Sequence, residues 1–261
     1  METATQLEAM TDNSGLVLNL PKADRVRYRR NFIKTAVCEL RFPTLLELET
    51  KPPRAFQQRI RKLYPFYEPQ LIEQVGGAGE GSREQRYLFR SKDKNWTVTV
   101  KSSTLGFETS KYVDFEDFFR RFGVILDSAR EMIDSDFLTR IGFRYINWIP
   151  IEDGNLEGWI RNELIAPLAG SALGPINQFA SLIRGKLERG EYAFRQALRR
   201  EDESERREEP VYILDIDYSV EDIEFNDVPT QLAYFNETNF DFFNWCLGDK
   251  AKALLGEGKP K

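Results

Sequence analysis

Apolar side chains recur at every second position through Ala36, Cys38, Leu40 and Phe42, with Val37, Glu39 and Arg41 between them. A period of two sends alternate side chains to opposite faces of an extended chain, so this run is a strand with one face more polar than the other. The same alternation returns over residues 138–149. A helical period governs Phe115, Phe118, Phe119, Phe122, Leu126, Ala129 and Ile133, which form one unbroken apolar stripe. Asp114 stands where a side chain can cap the start of that helix. A chain with both periods must bury a helix stripe against the apolar face of a sheet, which restricts it to a layered α+β architecture.

The remaining runs extend this pattern. Pro52 and Pro53 open a helix through Phe56, Ile60 and Leu63, ended by Tyr64-Pro65. After a glycine-rich loop over 75–82 come strand-like runs at 85–90, 96–102 and 105–112, with turns at Lys94-Asn95 and Ser103-Thr104. In the second half, the strand over 138–149 leads to a helix capped by Asn155 and running through Trp159, Ile160 and Leu164. Strand-like runs at 177–189, 191–200 and 211–220 follow, and a last helix spans about 229–255. The charged segment 201–209 reads as the solvated tip of a long hairpin.

The order β-α-β-β-β-α therefore occurs twice, and the closing helices share wording, Asp114-Phe-Glu-Asp-Phe-Phe119 beside Asn239-Phe-Asp-Phe-Phe243. This predicts a duplicated unit, 34–134 and 138–255, with a flexible basic N-terminal arm over 1–33 and a tail over 256–261. Two such units make one curved antiparallel sheet with the long helices packed on one face. The outline is similar to the saddle of the TATA-binding protein, a likeness of fold that carries no function. The unit is complete without the arm, whose apolar content is confined to 16–20, so the arm is expected to be dispensable for folding.

The chain has no histidine. This removes Ser-His-Asp and Cys-His nucleophile systems, His-ligated metals and histidine acid–base catalysis. Cys38 and Cys246 are far apart without CxxC spacing, so they read as small buried hydrophobes, neither disulfide framework nor zinc site. The N-terminal residues carry early acidic groups and no apolar core, unlike a signal peptide. Residues 164–183 are uncharged, but Pro167, Gly170, Gly174 and Pro175 interrupt them, so a packed helix end, a turn and a strand are expected there rather than a membrane span.

With 37 basic and 42 acidic residues the net charge is −5, so nucleic-acid binding would require a local basic patch. Basic runs occur at 22–34, at Arg54, Arg59, Arg61 and Lys62, and at Arg195, Arg199 and Arg200; a solvated mixed-charge surface is their simpler reading. Within the first run, Arg25, Arg27, Arg29 and Arg30 make the arm a candidate hold on an acidic partner or a phosphate backbone.

Asp215 and Asp217, two apart on one strand, share a face as paired metal ligands would, and Glu39 could add a third carboxylate. Arg140 and Arg144 share a face of their own strand, and structural ion pairing of these four residues is the favoured reading. Gly76-Gly-Ala-Gly-Glu-Gly81 lacks the Lys-Ser/Thr ending of a phosphate loop and precedes a strand, so it reads as a connector. No cofactor or metal is expected.

Arg140-Ile-Gly-Phe-Arg-Tyr-Ile-Asn147 resembles the RxGxRYxN signature of an uncharacterised, sporadically distributed bacterial family of about this length. Cys38-Glu-Leu-Arg-Phe-Pro43, the Leu214-Asp-Ile-Asp217 strand and the Phe-rich last helix also fit it. The family's expected His-Glu pair early in that helix stands here as Asn236-Glu237, which closes histidine chemistry at that place. The resemblance implies a bacterial cytosolic protein and supplies no activity. The resulting expectation is a non-enzymatic binding or interaction protein, with a protein partner or self-association and no membrane. Its competitors are a carboxylate-dependent metal enzyme acting on phosphodiesters and a nucleic-acid-binding module.

Overall fold

The computed structural model describes residues 17–75, 81–152, 155–168, 176, 178–199 and 210–260. In chain order the strands are β1 (Val26–Tyr28), β2 (Ile33–Arg41), β3 (Phe66–Val75), β4 (Gly81–Arg90), β5 (Trp96–Val100), β6 (Thr104–Thr109), β7 (Phe137–Pro150), β8 (Gln178–Lys186), β9 (Glu191–Arg199), β10 (Val211–Glu224) and β11 (Glu257–Pro260). The helices are α1 (Arg54–Ile60), α2 (Phe115–Ile133), α3 (Asn162–Ile165), α4 (Val228–Cys246) and α5 (Asp249–Leu255). Nine strands form one antiparallel sheet in the order β3-β4-β5-β6-β2-β7-β10-β9-β8, and β1 pairs with β11 in a separate two-stranded sheet. The fold is thus α+β.

The two alternating runs, β2 and β7, meet at the sheet's centre with Ala36 opposite Tyr145, Cys38 opposite Phe143 and Leu40 opposite Ile141. Their apolar face continues outward through Phe107 opposite Cys38, Tyr218 opposite Phe143, and Phe194 opposite Ile216, all buried. Both long helices cover this face. Phe118 of α2 lies 5.1 Å from the Phe107 ring and 5.2 Å from Phe143. Phe235 and Phe242 of α4 lie 5.7 Å and 5.0 Å from Tyr218 and Phe194. Each fully buried Phe contributes about 1.5–3 kcal/mol. That outweighs the few tenths it costs as a middling helix former. Asp114 accepts the Asp117 N–H at 2.8 Å and opens α2, and Asp134 closes it in the left-handed conformation at φ 49°.

Four local readings are corrected. Residues 66–75 form β3, so the first segment has four strands after α1 where the pattern implied three. Pro69 and the mixed polarity of Phe66, Glu68 and Gln70 hid it; β3 is an edge strand, where a missing N–H is tolerated. The helix expected after Asn155 shrinks to α3, because the Asn155 side chain instead accepts the Glu157 N–H in a turn. The last helix is broken between α4 and α5. There Arg161 N–H donates to Cys246 O at 2.9 Å, Gly248 N–H to Trp159 O at 2.9 Å, and Lys250 N–H to Gly158 O at 2.8 Å. A Cβ at Gly248 would fall 2.2 Å from the Gly158 carbonyl oxygen, so this close approach needs glycine.

The fourth correction concerns the termini. β11 lies in the segment read as a tail and pairs with β1, which lies in the segment read as a flexible arm. Leu18 N–H also donates to Lys186 O at 2.8 Å, and Leu18 and Leu20 pack on the core. The glycine-rich loop at 76–80 and the charged segment 201–209 lie outside the described residues. Among the described residues no helix is long and apolar enough to cross a membrane.

Candidate functional site

The face of the sheet opposite α2 and α4 carries the charged residues singled out above. β7 supplies Arg140 and Arg144, β10 supplies Asp215 and Asp217, and β2 supplies Glu39. Register sets Arg144 opposite Asp217, yet its guanidinium reaches diagonally, and Nε and Nη2 each donate to an Asp215 oxygen at 2.6 Å. That bond raises the Arg144 pKa, and Arg195 approaches the same carboxylate at 3.7 Å. Arg140 stands 3.5 Å from Glu39 and 4.0 Å from Asp217, while Arg41 donates to Glu39 at 2.8 Å. The Arg140 guanidinium lies over Gly142, where an added Cβ would come within 2.8 Å of it. Burial pushes the Asp217 carboxyl up, against the pull of Arg140, Arg144 and Arg195. The structure thus brings Arg144 to Asp215 and Arg140 to Glu39. Among the described residues no three acidic, thiol or imidazole groups converge as metal ligands.

The basic arm lies against the body. Asp241 of α4 is 3% exposed, and its recorded partners all come from the arm: Lys22 Nζ at 3.0 Å, the Ala23 N–H at 3.1 Å and Arg25 at 3.1 Å. Arg25 also lies 4.8 Å over the Phe240 ring, and Arg27 donates to Asp114 at 2.9 Å. A buried carboxylate needs compensating charge, and that need draws in the segment read as flexible. Arg29 and Arg30 have no ion pair recorded among the described residues; their backbone N–H groups bond to Gly256 O and Leu255 O.

Beneath the arm, between the start of α2 and the middle of α4, is a cavity of about 370 Å³. Its walls are Tyr28, Phe32, Phe115, Phe240 and Phe243, with Val113 and Leu255. Tyr28 stacks on Phe240 at 6.2 Å and donates its hydroxyl to Asn244, and Phe32 meets Phe243 edge-on at 6.4 Å. Polar groups converge among these rings: Tyr112, Tyr145, Asn147, Asn236 and Asn239. Tyr145 donates to Asn236 Oδ1 at 3.0 Å and lies 3.4 Å from the Tyr112 hydroxyl. Asn147 donates to Leu214 O at 3.3 Å, and Asn239 accepts from Tyr218 at 3.4 Å. Burial pushes both the Tyr112 and Tyr145 phenols up, so they stay neutral at any ordinary pH.

No family model matches this chain. No curated protein matches it either.

The cavity was not legible as a site in the sequence. Phe240 and Phe243 have the same spacing and chemistry as core residues, and Tyr112 ends a strand-like run. The available signal was Asn236 with Asn239, two amides one turn apart in a Phe-rich helix, together with the Tyr145 and Asn147 of the RxGxRYxN strand. Cys38 and Cys246 are buried, and burial pushes both thiols up, which suits packing rather than chemistry.

Proposed function

We propose that this protein is a non-enzymatic binding protein of the bacterial cytosol whose ligand sits in the cavity beneath the N-terminal arm. One observation carries the reading: a half-open pocket of about 370 Å³ with aromatic walls and a few convergent neutral polar groups. This is the composition of a small-molecule pocket. The lining holds no histidine or cysteine; of its carboxylates, Asp114 is held by Arg27 and the Asp117 N–H, and the lining residues offer no base–nucleophile pair. Membership of the RxGxRYxN family belongs to the same proposal. So does duplication of the fold into a saddle, supported by the strand order: β2 and β7 adjoin, and each is flanked by the last strand of its own segment. Self-association or a protein partner fits the exposed Phe66, Tyr67 and Leu71 on edge strand β3 and Leu182 and Ile183 on edge strand β8.

A fragment screen by protein-observed NMR tests the binding reading. Hits are expected to perturb Tyr112, Asn236 and Phe243 together and to compete with one another. A screen whose hits all map to the open sheet face would overturn it.

A further inference from the structure

We infer that the cavity takes an uncharged aromatic ring bearing an amide or hydroxyl group. The inference rests on the binding reading above and names the ligand class. The walls come first: Tyr28, Phe32, Phe240 and Phe243 present ring faces and edges, which favour a flat apolar body. The polar end is equally specific. Because Tyr145 donates to Asn236 Oδ1, the Asn236 Nδ2 is left as a donor with no partner recorded among the described residues. The Tyr112 hydroxyl, 3.4 Å from the Tyr145 hydroxyl, gives a second neutral hydrogen-bonding group in the same lining. A carbonyl or hydroxyl oxygen can accept from Asn236 while an amide N–H or O–H donates to Tyr112.

Charge excludes the alternatives. Arg25 is paired with Asp241 and Arg27 with Asp114, so those ions are matched within the protein. Arg30 and Glu237, also in the lining, have opposite signs and no ion pair among the described residues, which leaves no net preference. An anion at the inner end would face phenols and amides alone, and burying an unpaired ion is strongly unfavourable. A cation could use a ring face, but Arg25 already lies over Phe240. The volume suits one ring or two fused rings rather than an extended chain.

Benzamide, benzoate and benzamidine share a ring and nearly a shape, and differ in charge. Titrating the full chain with each, followed by NMR on the Asn236 side-chain amide and the Tyr112 backbone, reads affinity and place together. Benzamide is expected to shift both saturably, with benzoate and benzamidine weaker by about tenfold or more. Tyr112→Phe, which keeps the ring, should weaken benzamide several-fold, with a folded NMR spectrum away from the pocket showing that the loss is not unfolding. Benzoate or benzamidine binding the cavity as well as benzamide would overturn the ligand class and leave the binding reading standing. No saturable shift at either residue with any of the three, nor with indole-3-carboxamide, would overturn both.

Discussion

Arg144 and Asp217 face each other across β7 and β10, yet the bidentate bond goes to Asp215. The Arg144 side chain is 40% exposed, so water shares its charge, whereas Asp215 is nearly buried. Arg144→Met should therefore cost about 1–3 kcal/mol, less than the 3–5 of a fully buried broken pair. Arg195 at 3.7 Å is placed to take over part of the compensation. Chemical denaturation at neutral pH measures this, and an unchanged midpoint would show that the bond contributes nothing net. Asp217 behaves in the opposite way. Burial raises its pKa, so the folded chain holds the proton more tightly than the unfolded chain does. Its contribution is present below the ordinary carboxylate range and is lost as pH rises through the folded value. Asp217→Asn removes that slope. The variant's stability relative to the parent should rise as pH is raised through and above the ordinary carboxylate range. A constant difference across that window would place the carboxyl in water. The sequence could pair these residue types, because strand faces follow from alternation. It could not choose partners, because a diagonal reach depends on register and side-chain length.

At the scale of elements, α2 carries its boundaries in its own residues. Asp114 caps one end through a side-chain bond to the Asp117 N–H, and Asp134 closes the other in a conformation that glycine adopts more readily. Asp114→Ala should lower stability by about 1 kcal/mol, since it removes the cap and also the acceptor for Arg27. Asp134→Gly should raise it by about 0.5–1 kcal/mol by relieving left-handed backbone strain. Thermal melts of both variants beside the parent test the pair, and a loss on Asp134→Gly would refute the strain argument. The C-terminal helix shows the contrary case. Its apolar pattern runs on through residue 255, but the chain breaks at Leu247-Gly248 because the segment around Gly158 supplies hydrogen bonds there. Periodicity registers which side of a helix is apolar. It is silent about a neighbouring loop that competes for the helix's backbone groups. β3 carries little sequence signal for a related reason: an edge strand buries little, so its alternation is weak.

For the whole molecule, the arm is where expectation and structure part most widely. By composition alone its arginines are charge available to a partner. Arg25 and Arg27 instead answer carboxylates on α4 and at the start of α2. Removing residues 1–25 takes Lys22, the Ala23 N–H and Arg25 from Asp241 and leaves β1 in place. The truncated chain should lose about 1–3 kcal/mol from the carboxylate uncovered to water, together with the packing of Leu18 and Leu20 and the Leu18–Lys186 bond. Part of that loss should be abolished in high salt, where the parent's own ion pairs are screened. Denaturation curves of both chains at low and high salt decide it. Equal stability at low salt would restore the view that the arm is dispensable.

Local chemistry settled the periods of β2 and β7, the stripe and N-cap of α2, and the absence of histidine, and with them the α+β class and the closure of histidine chemistry. These follow from the sequence because a side chain's face, its capping capacity and its pKa range are properties of a residue and its near neighbours. The cavity, the docking of the arm and the choice of Asp215 over Asp217 were decided only in three dimensions. Each joins residues far apart in the chain, as Arg25 joins Asp241 and Tyr145 joins Asn236. Which distant groups meet depends on how the sheet orders its strands and where the helices lie across it, and neither is encoded in a local period.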